Sequence, residues 1–246
     1  MKGGFTVIIP ARIASTRLPG KVLIDIGGKP LLQHVYEAAV ISSAKQVYIA
    51  TGDREIQSAA EAFGASCILT SGNHNSGTDR IAEAAGLLDL PDTEIIVNVQ
   101  GDEFGLPSEI INQVAFMLES SPGIPMATLY EKICNESDLD NRDIVKVVVS
   151  RMNTALYFSR LPIPCNRNRR VHEYFRHIGI YAYRTEYLQR FSALPACELE
   201  LTESLEQLRA LYNGDTILVE ETCKPTGIGI DTEEDLQLAR ESVRSL

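Results

Sequence analysis

The strongest constraint on the fold is an alternation of short β-branched runs and helical patterns over residues 5–99. The β-branched runs are typical of strands. They occupy residues 5–9, 46–50, 66–70 and 94–99. Strands that alternate with helices make right-handed crossovers and pair mainly in parallel. The sequence therefore predicts an α/β fold, a mainly parallel twisted sheet flanked by helices, with its ligand site beyond the carboxyl ends of the strands.

The segments between these runs have helical spacing. Pro30 fits a first helical position. Leu31, Val35 and then Ala38 or Ala39 follow on one face. Similar but weaker helical patterns cover residues 56–63 and 81–88.

The second half of the chain is less regular. Strand-like runs are predicted at residues 144–149, 155–158 and 177–183. A single helical face is predicted from the spacing of Leu201, Leu205, Leu208 and Tyr212. A last helix is predicted to begin near residues 231–232, where Asp231 and Thr232 offer capping side chains.

Charge is unevenly distributed in an acidic chain. The 23 Lys and Arg residues face 33 Asp and Glu residues, a net charge of −10, which disfavours binding to nucleic acid and to anionic membranes. Residues 1–29 nevertheless hold five cations against one acid, and residues 160–176 hold five arginines against one acid. These two basic segments favour local capture of small anions, the alternative being two solvated loops.

The cysteines and the apolar runs bear on the cellular compartment. The five cysteines are widely spaced and lack a C-x-x-C pair, so neither a disulfide framework nor a structural zinc site is expected. No apolar run approaches the ~18 residues that a membrane span needs, and the run at residues 5–10 is too short for a secretory signal. We therefore expect a cytoplasmic protein.

The loop after the first predicted strand carries residue types that bind phosphate. It reads PARIASTRLPGK over residues 10–21. Arg12 and Arg17 can make bidentate contacts to phosphate oxygens. Gly20 allows close backbone approach, and Lys21 can act as a point charge. The Walker A order is absent, and the alternative is a solvated loop.

A second segment with candidate functional residues follows the fourth predicted strand, where residues 98–103 read NVQGDE. Asp102 is placed there to bind Mg²⁺, which prefers a few carboxylates together with substrate phosphate oxygens. Asp231 could complete that site from far along the chain, or it could cap the last helix instead.

Six blocks of the sequence carry a resemblance to a known family. They read VIIPARIASTRLPGK (7–21), HNSGTDR (74–80), NVQGDE (98–103), ALYFSR (155–160) followed by IP (163–164), HIGIYAYR (177–184) and LELTESLEQLR (199–209). Together, over nearly the whole chain, they resemble the 3-deoxy-manno-octulosonate (KDO) cytidylyltransferases. The resemblance implies a nucleotide-diphospho-sugar transferase-like, Rossmann-like fold, with a smaller mixed segment that shapes the sugar pocket.

The resemblance implies a homodimeric enzyme that joins CTP to KDO, an eight-carbon ulosonic acid, with Mg²⁺, and releases pyrophosphate during lipopolysaccharide biosynthesis. In the family the anomeric hydroxyl attacks the α-phosphorus of CTP, so catalysis is mostly positioning and charge neutralisation. We expect one domain over residues 1–246. Its soft subdivision separates a nucleotide-binding half, 1–130, from a sugar-pocket and dimerisation half, 131–246.

Residue roles carry over from the resemblance position by position. It implies catalytic roles for Arg17, Lys21 and Asp102, and metal binding by Asp102 and Asp231. The residues that match the family's nucleotide contacts are Arg12, Ser15, Arg17, Lys21, Ser76, Gly77, Arg80 and Gln100. Those that match its sugar pocket are Gln100, Arg160, His177, Tyr181, Glu200, Glu203 and Gln207. From the residues alone, His177 could instead be a hydrogen-bonded core histidine, and Glu203 with Gln207 a solvated pair.

Three departures from the family pattern lie on segments expected near the sugar. Phe104 and Gly105 replace a proline and an aliphatic residue, Cys165 replaces an often aromatic residue, and the run NRNRR (166–170) lacks the usual acid. We hypothesise that this pocket favours the 8-amino-8-deoxy analogue of KDO. The alternative functions are an acylneuraminate cytidylyltransferase and a non-catalytic sugar-nucleotide sensor.

Overall fold

The computed structural model describes residues 4–15, 17–168 and 172–244. Thr16 of the phosphate-type loop, and Arg169 and Arg170 of the second basic segment, lie outside the described residues. The strands are β1 (Phe5–Ala11), β2 (Asp25–Ile26), β3 (Lys29–Pro30), β4 (Gln46–Thr51), β5 (Ser66–Leu69), β6 (Ile95–Asn98), β7 (Glu103–Phe104), β8 (Met126–Lys132), β9 (Lys146–Val149), β10 (Ala155–Ser159), β11 (Phe175–Arg184), β12 (Ile217–Glu221) and β13 (Ile228–Gly229). The helices are α1 (Leu31–Ile41), α2 (Arg54–Ala62), α3 (Gly77–Leu87), α4 (Ser108–Glu119), α5 (Glu136–Asp140), α6 (Thr185–Ala193), α7 (Glu198–Glu203), α8 (Leu208–Tyr212) and α9 (Glu233–Arg244).

The strands of the first half pair in parallel. β1 lies between β4 and β6, and β5 extends the sheet beyond β4. β1 is buried along its whole length because its two faces pack into different clusters, Ile8 on one side and Val7 and Ile9 on the other. A strand covered on both faces is expected in a parallel sheet with helices on each side.

The second half adds antiparallel strands to the same sheet. β11 pairs antiparallel with β6, β8 and β9, and β12 runs parallel to β8. One face packs against α1, α2, α4 and α9, and the other against α3, α6 and α8. The predicted α/β fold with helices flanking the sheet is thus confirmed, as a mixed sheet. The subdivision near residue 130 stays a prediction. Among the described residues, none of the helices combines the length and apolar character needed to cross a membrane.

Two local predictions are wrong. Residues 201–212 do not form one helix, because Ser204 has a left-handed backbone conformation, φ +52°, between α7 and α8. Leu205 is buried as predicted, whereas Leu201 and Tyr212 are exposed. Pro30 is not the first residue of α1 but precedes it, in extended conformation and paired with Asp25.

A short antiparallel ladder brings two distant segments together at the carboxyl end of β6. β7 pairs with β13, so that Gly229 lies opposite Glu103, and the Ile230 N–H donates to the Asp102 carbonyl at 3.0 Å. Asp102 and Asp231, 129 positions apart in the sequence, therefore lie at the same sheet edge.

The ladder predicts the effect of a Gly227→Ala substitution. A Cβ at residue 227 would lie 2.0 Å from the Phe104 carbonyl oxygen, a backbone atom that cannot rotate away. We expect the free energy of unfolding to fall by at least about 3 kcal/mol in urea titrations. Gly72→Ala is the matched control, since a Cβ there meets nothing within 4 Å. Equal stability of the two variants would contradict the described ladder.

Candidate active site

A cavity of about 620 Å³ opens at the carboxyl ends of β1 and β6. We call it the strand-end cavity. It brings together all the residues predicted for the nucleotide and the metal: Arg12, Ser15, Arg17, Lys21, Ser76, Gly77, Arg80, Gln100, Asp102 and Asp231. The cavity lies beyond the strand ends, where the sequence predicts the ligand site, and all of these residues line it.

The loop between β1 and Lys21 is closed on itself. The Gly20 N–H donates to the Ile13 carbonyl at 3.0 Å, and Gly20 has φ +69°, a conformation that suits glycine. Ser15 and Arg17 lie within the closed loop, and Lys21 begins the single 3₁₀ turn that follows. The closure places Lys21 at the floor of the cavity while the Arg17 side chain stays half-exposed.

Lys21 lies between two carboxylates. Its Nζ is 2.5 Å from Asp102 Oδ2 and 2.7 Å from Asp231 Oδ1, and Arg17 pairs with the other Asp231 oxygen at 2.8 Å. Burial lowers the pKa of Lys21, but the attraction and hydrogen bonds of the two carboxylates outweigh it, so the pKa is raised and the ammonium stays charged.

The alternative role of Asp231 as a helix cap is wrong. The Thr232 hydroxyl accepts the Asp235 N–H at 3.2 Å and so caps α9, whose predicted start is confirmed. The Asp231 carboxylate binds Lys21 and Arg17 instead.

The carboxylates of Asp102 and Asp231 suit a divalent cation. Their oxygens converge on one point, now taken by the Lys21 ammonium. Among the described residues no cluster of three or more His, Cys, Asp or Glu side chains could hold a metal. Two carboxylates completed by substrate phosphates are a typical Mg²⁺ donor set, so the residues present fit that ion.

The amino end of α3 forms the opposite wall of the cavity. α3 begins at Gly77, four residues before its predicted start, and the Ser76 hydroxyl caps it by accepting the Asp79 N–H at 3.1 Å. The unpaired N–H groups of such a helix end attract anions. Arg80, on the same helix, is buried and donates to Thr70 Oγ1 at 2.7 Å.

Two residues predicted for the sugar pocket, Arg160 and Glu203, are held by hydrogen bonds within the protein. Arg160 donates to the carbonyls of Arg142, Glu203 and Ser204. The Glu203 carboxylate accepts the Ser159 hydroxyl at 2.7 Å and the Arg160 N–H at 3.0 Å. These bonds fix the Ser204 turn between α7 and α8. Sugar contacts by Arg160 and Glu203 stay predictions.

Glu200, also predicted for the sugar, pairs with a buried arginine. Both of its carboxylate oxygens accept from Arg209, at 2.6 and 2.8 Å. A bidentate pair of this kind is geometrically specific, and here it joins α7 to α8. The structure places Glu200 outside the lining of the strand-end cavity.

His177 and Tyr181 lie next to each other on β11, with ring centroids 5.3 Å apart. His177 Nε2 is 3.1 Å from the Thr128 hydroxyl, and burial of the ring lowers the pKa of His177 to about 3, so the imidazole is neutral at neutral pH. The predicted hydrogen bond of His177 is present, but the residue is only partly buried and lines a second cavity, so both the core role and the sugar-binding role stay predictions.

Glu206, which the sequence analysis did not single out, reaches α3. Its Oε2 accepts the Thr78 hydroxyl at 2.5 Å, and Glu206 also raises the pKa of Tyr181, after the larger effect of burial. Glu206 Oε1 and the neighbouring Gln207 Nε2 are buried without a hydrogen-bond partner among the described residues, although Glu206 Oε1 lies 3.9 Å from the Arg209 guanidinium. A solvated pair of Glu203 with Gln207 is therefore wrong, because Gln207 is buried. A buried polar atom without a hydrogen bond is commonly satisfied by water, an ion or a ligand. The sequence signal that could have identified Glu206 and Gln207 is their position as two adjacent polar residues between Leu205 and Leu208, which are both buried.

A second cavity of about 550 Å³ adjoins the first and shares Arg17 and Asp231 with it. Glu103 lines it, and burial, with the nearby carboxylates of Asp102 and Asp231, raises the pKa of Glu103 to about 7. Phe104 lines neither cavity. Its ring packs in the core against His34, with centroids 5.1 Å apart, so packing accounts for this departure from the family pattern.

Comparisons with known proteins agree with this geometry. The model of the cytidylyltransferase family matches residues 6–217. The chain belongs to the cytidylyltransferase family. A 3-deoxy-manno-octulosonate cytidylyltransferase of Hahella chejuensis is 49% identical over 245 residues, covering 96% of each chain. One of Francisella philomiragia is 50% identical over 240 residues, covering 95% of this chain and 96% of the relative.

Solved structures of cytidylyltransferases confirm the fold. A structure of CMP:2-keto-3-deoxy-manno-octonic acid synthetase complexed with CTP matches with a TM-score of 0.92 and 41% identity, over 98% of this chain and 99% of that one. A 4-diphosphocytidyl-2C-methyl-D-erythritol synthase, at 14% identity and a TM-score of 0.63 over 97% of this chain and 98% of that one, shares the fold alone.

Because the Gln207 amide nitrogen makes no hydrogen bond among the described residues, we expect its replacement by an apolar side chain not to destabilise the protein. Because Gln207 Nε2 loses no bond on replacement, Gln207→Met is expected to leave the free energy of unfolding unchanged or to raise it by about 1 kcal/mol. Gln189→Met is the matched control, because Gln189 Nε2 donates to the Ala82 carbonyl at 2.7 Å, and it should lose about 1 kcal/mol. Urea titrations that rank the two variants in the opposite order would contradict the orphaned state of Gln207.

Proposed function

We propose that this chain transfers the cytidylyl group of CTP to the anomeric hydroxyl of KDO, giving CMP-KDO and pyrophosphate for lipopolysaccharide biosynthesis. The observation that carries the proposal is the Lys21 ammonium, held between Asp102 and Asp231 on the floor of an arginine-lined cavity. The names of the relatives from Hahella chejuensis and Francisella philomiragia support KDO as the acceptor. They give no support to an acylneuraminate.

The chain's own residues are suited to positioning two anions. In the reaction the anomeric oxygen bonds to the α-phosphorus, and the bond from that phosphorus to the bridging oxygen breaks as pyrophosphate leaves. Arg12, Arg17 and Arg80 bring guanidinium groups to the triphosphate, and the N–H groups at the start of α3 add partial positive charge. Lys21, charged at neutral pH, would stabilise the negative charge that develops on the transferred phosphoryl group.

Asp102 and Asp231 would hold the metal ion. Cytidylyltransferases generally use a divalent metal, and we propose Mg²⁺ for this chain. When bound, the ion neutralises phosphate charge and orients the phosphate oxygens. Lys21 lies where the two carboxylates meet, so a metal ion held by both carboxylates would take the place of its ammonium between them.

We propose that Glu206 and Gln207 contact the sugar together with Gln100 and Tyr181. Sugar hydroxyls pair with acceptors and donors, and the orphaned Glu206 Oε1 and Gln207 Nε2 supply one of each. Glu206 lies beside Ser76 and Thr78 at the start of α3, next to the cavity that holds Gln100. The sugar and the nucleotide would therefore meet across the amino end of α3.

The test is pyrophosphate release with CTP and Mg²⁺, comparing KDO, its 8-amino-8-deoxy analogue and N-acetylneuraminate. We expect the highest kcat/KM with KDO. A preference for the amino sugar would support a specificity set by Cys165 and the segment after it, since Phe104 belongs to the core. A preference for N-acetylneuraminate would overturn the proposed acceptor, and binding of CTP without release for any sugar would support a sensor.

Asp102→Asn tests the metal assignment. The change keeps a polar side chain but removes a charge from the metal site, so we expect kcat/KM at limiting Mg²⁺ to fall at least about 100-fold with the fold intact by circular dichroism. Asp215→Asn is the control, because Asp215 also forms an ion pair, with Arg190 at 2.5 Å, and lines neither cavity. Near-parental activity of Asp102→Asn at limiting Mg²⁺ would show that the metal lies elsewhere.

We also propose that the enzyme is a cytoplasmic homodimer. β10 lies at the end of the strand order of the sheet, and Leu156 on β10 and Leu161 beyond it are exposed. Exposed apolar side chains beside an edge strand favour association with another protein surface. A cytoplasmic location follows from the use of CTP, and sedimentation velocity would report the oligomeric state.

A further inference from the structure

Ile13 holds the base of the loop that carries Ser15 and Arg17. Its carbonyl accepts the Gly20 N–H at 3.0 Å, which closes the loop on itself. Its own N–H donates to Asp53 Oδ2 at 2.9 Å, which ties the closed loop to the connection between β4 and α2. The backbone N–H and carbonyl of this one residue therefore both help to fix where the loop lies relative to the sheet.

Asp53 makes this contact in place of its ordinary local role. It is the residue before α2, where an aspartate commonly accepts an N–H of the first helical turn. Here the Asp53 side chain makes no such cap. Its backbone N–H donates to Thr51 Oγ1 at 3.1 Å, which directs the residue away from the helix end. A half-buried carboxylate thus leaves its own helix uncapped and bonds a loop 40 residues away.

The charge of Asp53 also acts on one cation of the strand-end cavity, Arg80. Burial lowers the pKa of Arg80, the Asp53 carboxylate raises it, and the Arg12 guanidinium lowers it. Arg12 and Arg80 both line the cavity, whereas Asp53 does not. Asp53 therefore lies outside the lining, and its charge opposes the effect of Arg12 on Arg80.

We propose that Asp53 is a positioning residue of this cytidylyltransferase, fixing the triphosphate loop through its hydrogen bond to the Ile13 N–H. The proposal rests on the function proposed above, because the loop it positions is the one assigned to CTP. Asp53 acts on the nucleotide only through Ile13 and Arg80, so it affects binding of CTP more than the chemical step.

Asp53→Ser tests this role with the least damage to the fold. A serine can cap α2, but its hydroxyl is too short to reach the Ile13 N–H. We expect the KM for CTP to rise about tenfold, the loss of one charge-assisted hydrogen bond, with kcat changed less than about threefold. Asp53→Asn keeps an oxygen acceptor and should restore the KM to within about threefold of the parent. Asp25→Ser is the control, since Asp25 accepts the Gly28 N–H in an exposed hairpin and lines neither cavity.

Hydrogen–deuterium exchange measured without CTP reports directly on the hydrogen bond between the Ile13 N–H and Asp53. The shortest peptide containing Ile13 should exchange faster in Asp53→Ser than in the parent and in Asp53→Asn. Unchanged exchange in Asp53→Ser, or an unchanged KM for CTP, would overturn the proposal, as would an equal rise of the KM in Asp25→Ser. Failure of the parent to bind CTP would instead remove the proposed function, while the exchange of Ile13 would still report whether Asp53 anchors the loop.

Discussion

The ion pairs of Lys21 with Asp102 and Asp231 are the interaction on which the rest of the site depends. A half-buried ammonium between two carboxylates joins three segments that are far apart in the sequence, the loop after β1, the end of β6 and the approach to α9. Removing one partner of such a group leaves charge without compensation, so the three segments must arrive together. The ladder of β7 with β13 and the Ile230 bond to Asp102 supply that arrangement from the backbone.

The proposed nucleotide site and the proposed sugar site are built from different kinds of structure. Cationic groups and helix N–H groups surround the proposed nucleotide site, and these suit a triphosphate. The proposed sugar site depends instead on the Ser204 turn, which Arg160 and Glu203 fix from one side and the Glu200–Arg209 pair from the other. That turn directs Glu206 and Gln207 toward α3. A sugar is recognised by hydrogen bonds of defined geometry, which explains why many hydrogen bonds hold the residues around its proposed site in place.

Much of the fold could be predicted because its signals are local. The β-branched runs predicted the parallel strands. The apolar spacing after Pro30 predicted α1, although the predicted start of the helix is one residue too early. The wrong helix over residues 201–212 arose because apolar spacing continues across Ser204, whose left-handed conformation is held by contacts from β10. Spacing along one segment carries no record of such contacts.

The sequence by itself determined the family, the phosphate-type loop, Lys21 and the acidic pair Asp102 and Asp231, because residue types at fixed spacing are enough to recognise that chemistry. The tertiary structure decided which polar residues are free to meet a ligand. Arg160, Glu200 and Glu203 make hydrogen bonds within the protein, whereas Glu206 Oε1 and Gln207 Nε2 make none within the described part of the chain. It also gave Asp53 its role, since the hydrogen bond to Ile13 exists only after β1 and β4 pair. The physical reason is that a polar group's availability depends on partners brought by folding, and residues close in sequence do not show which partners those are.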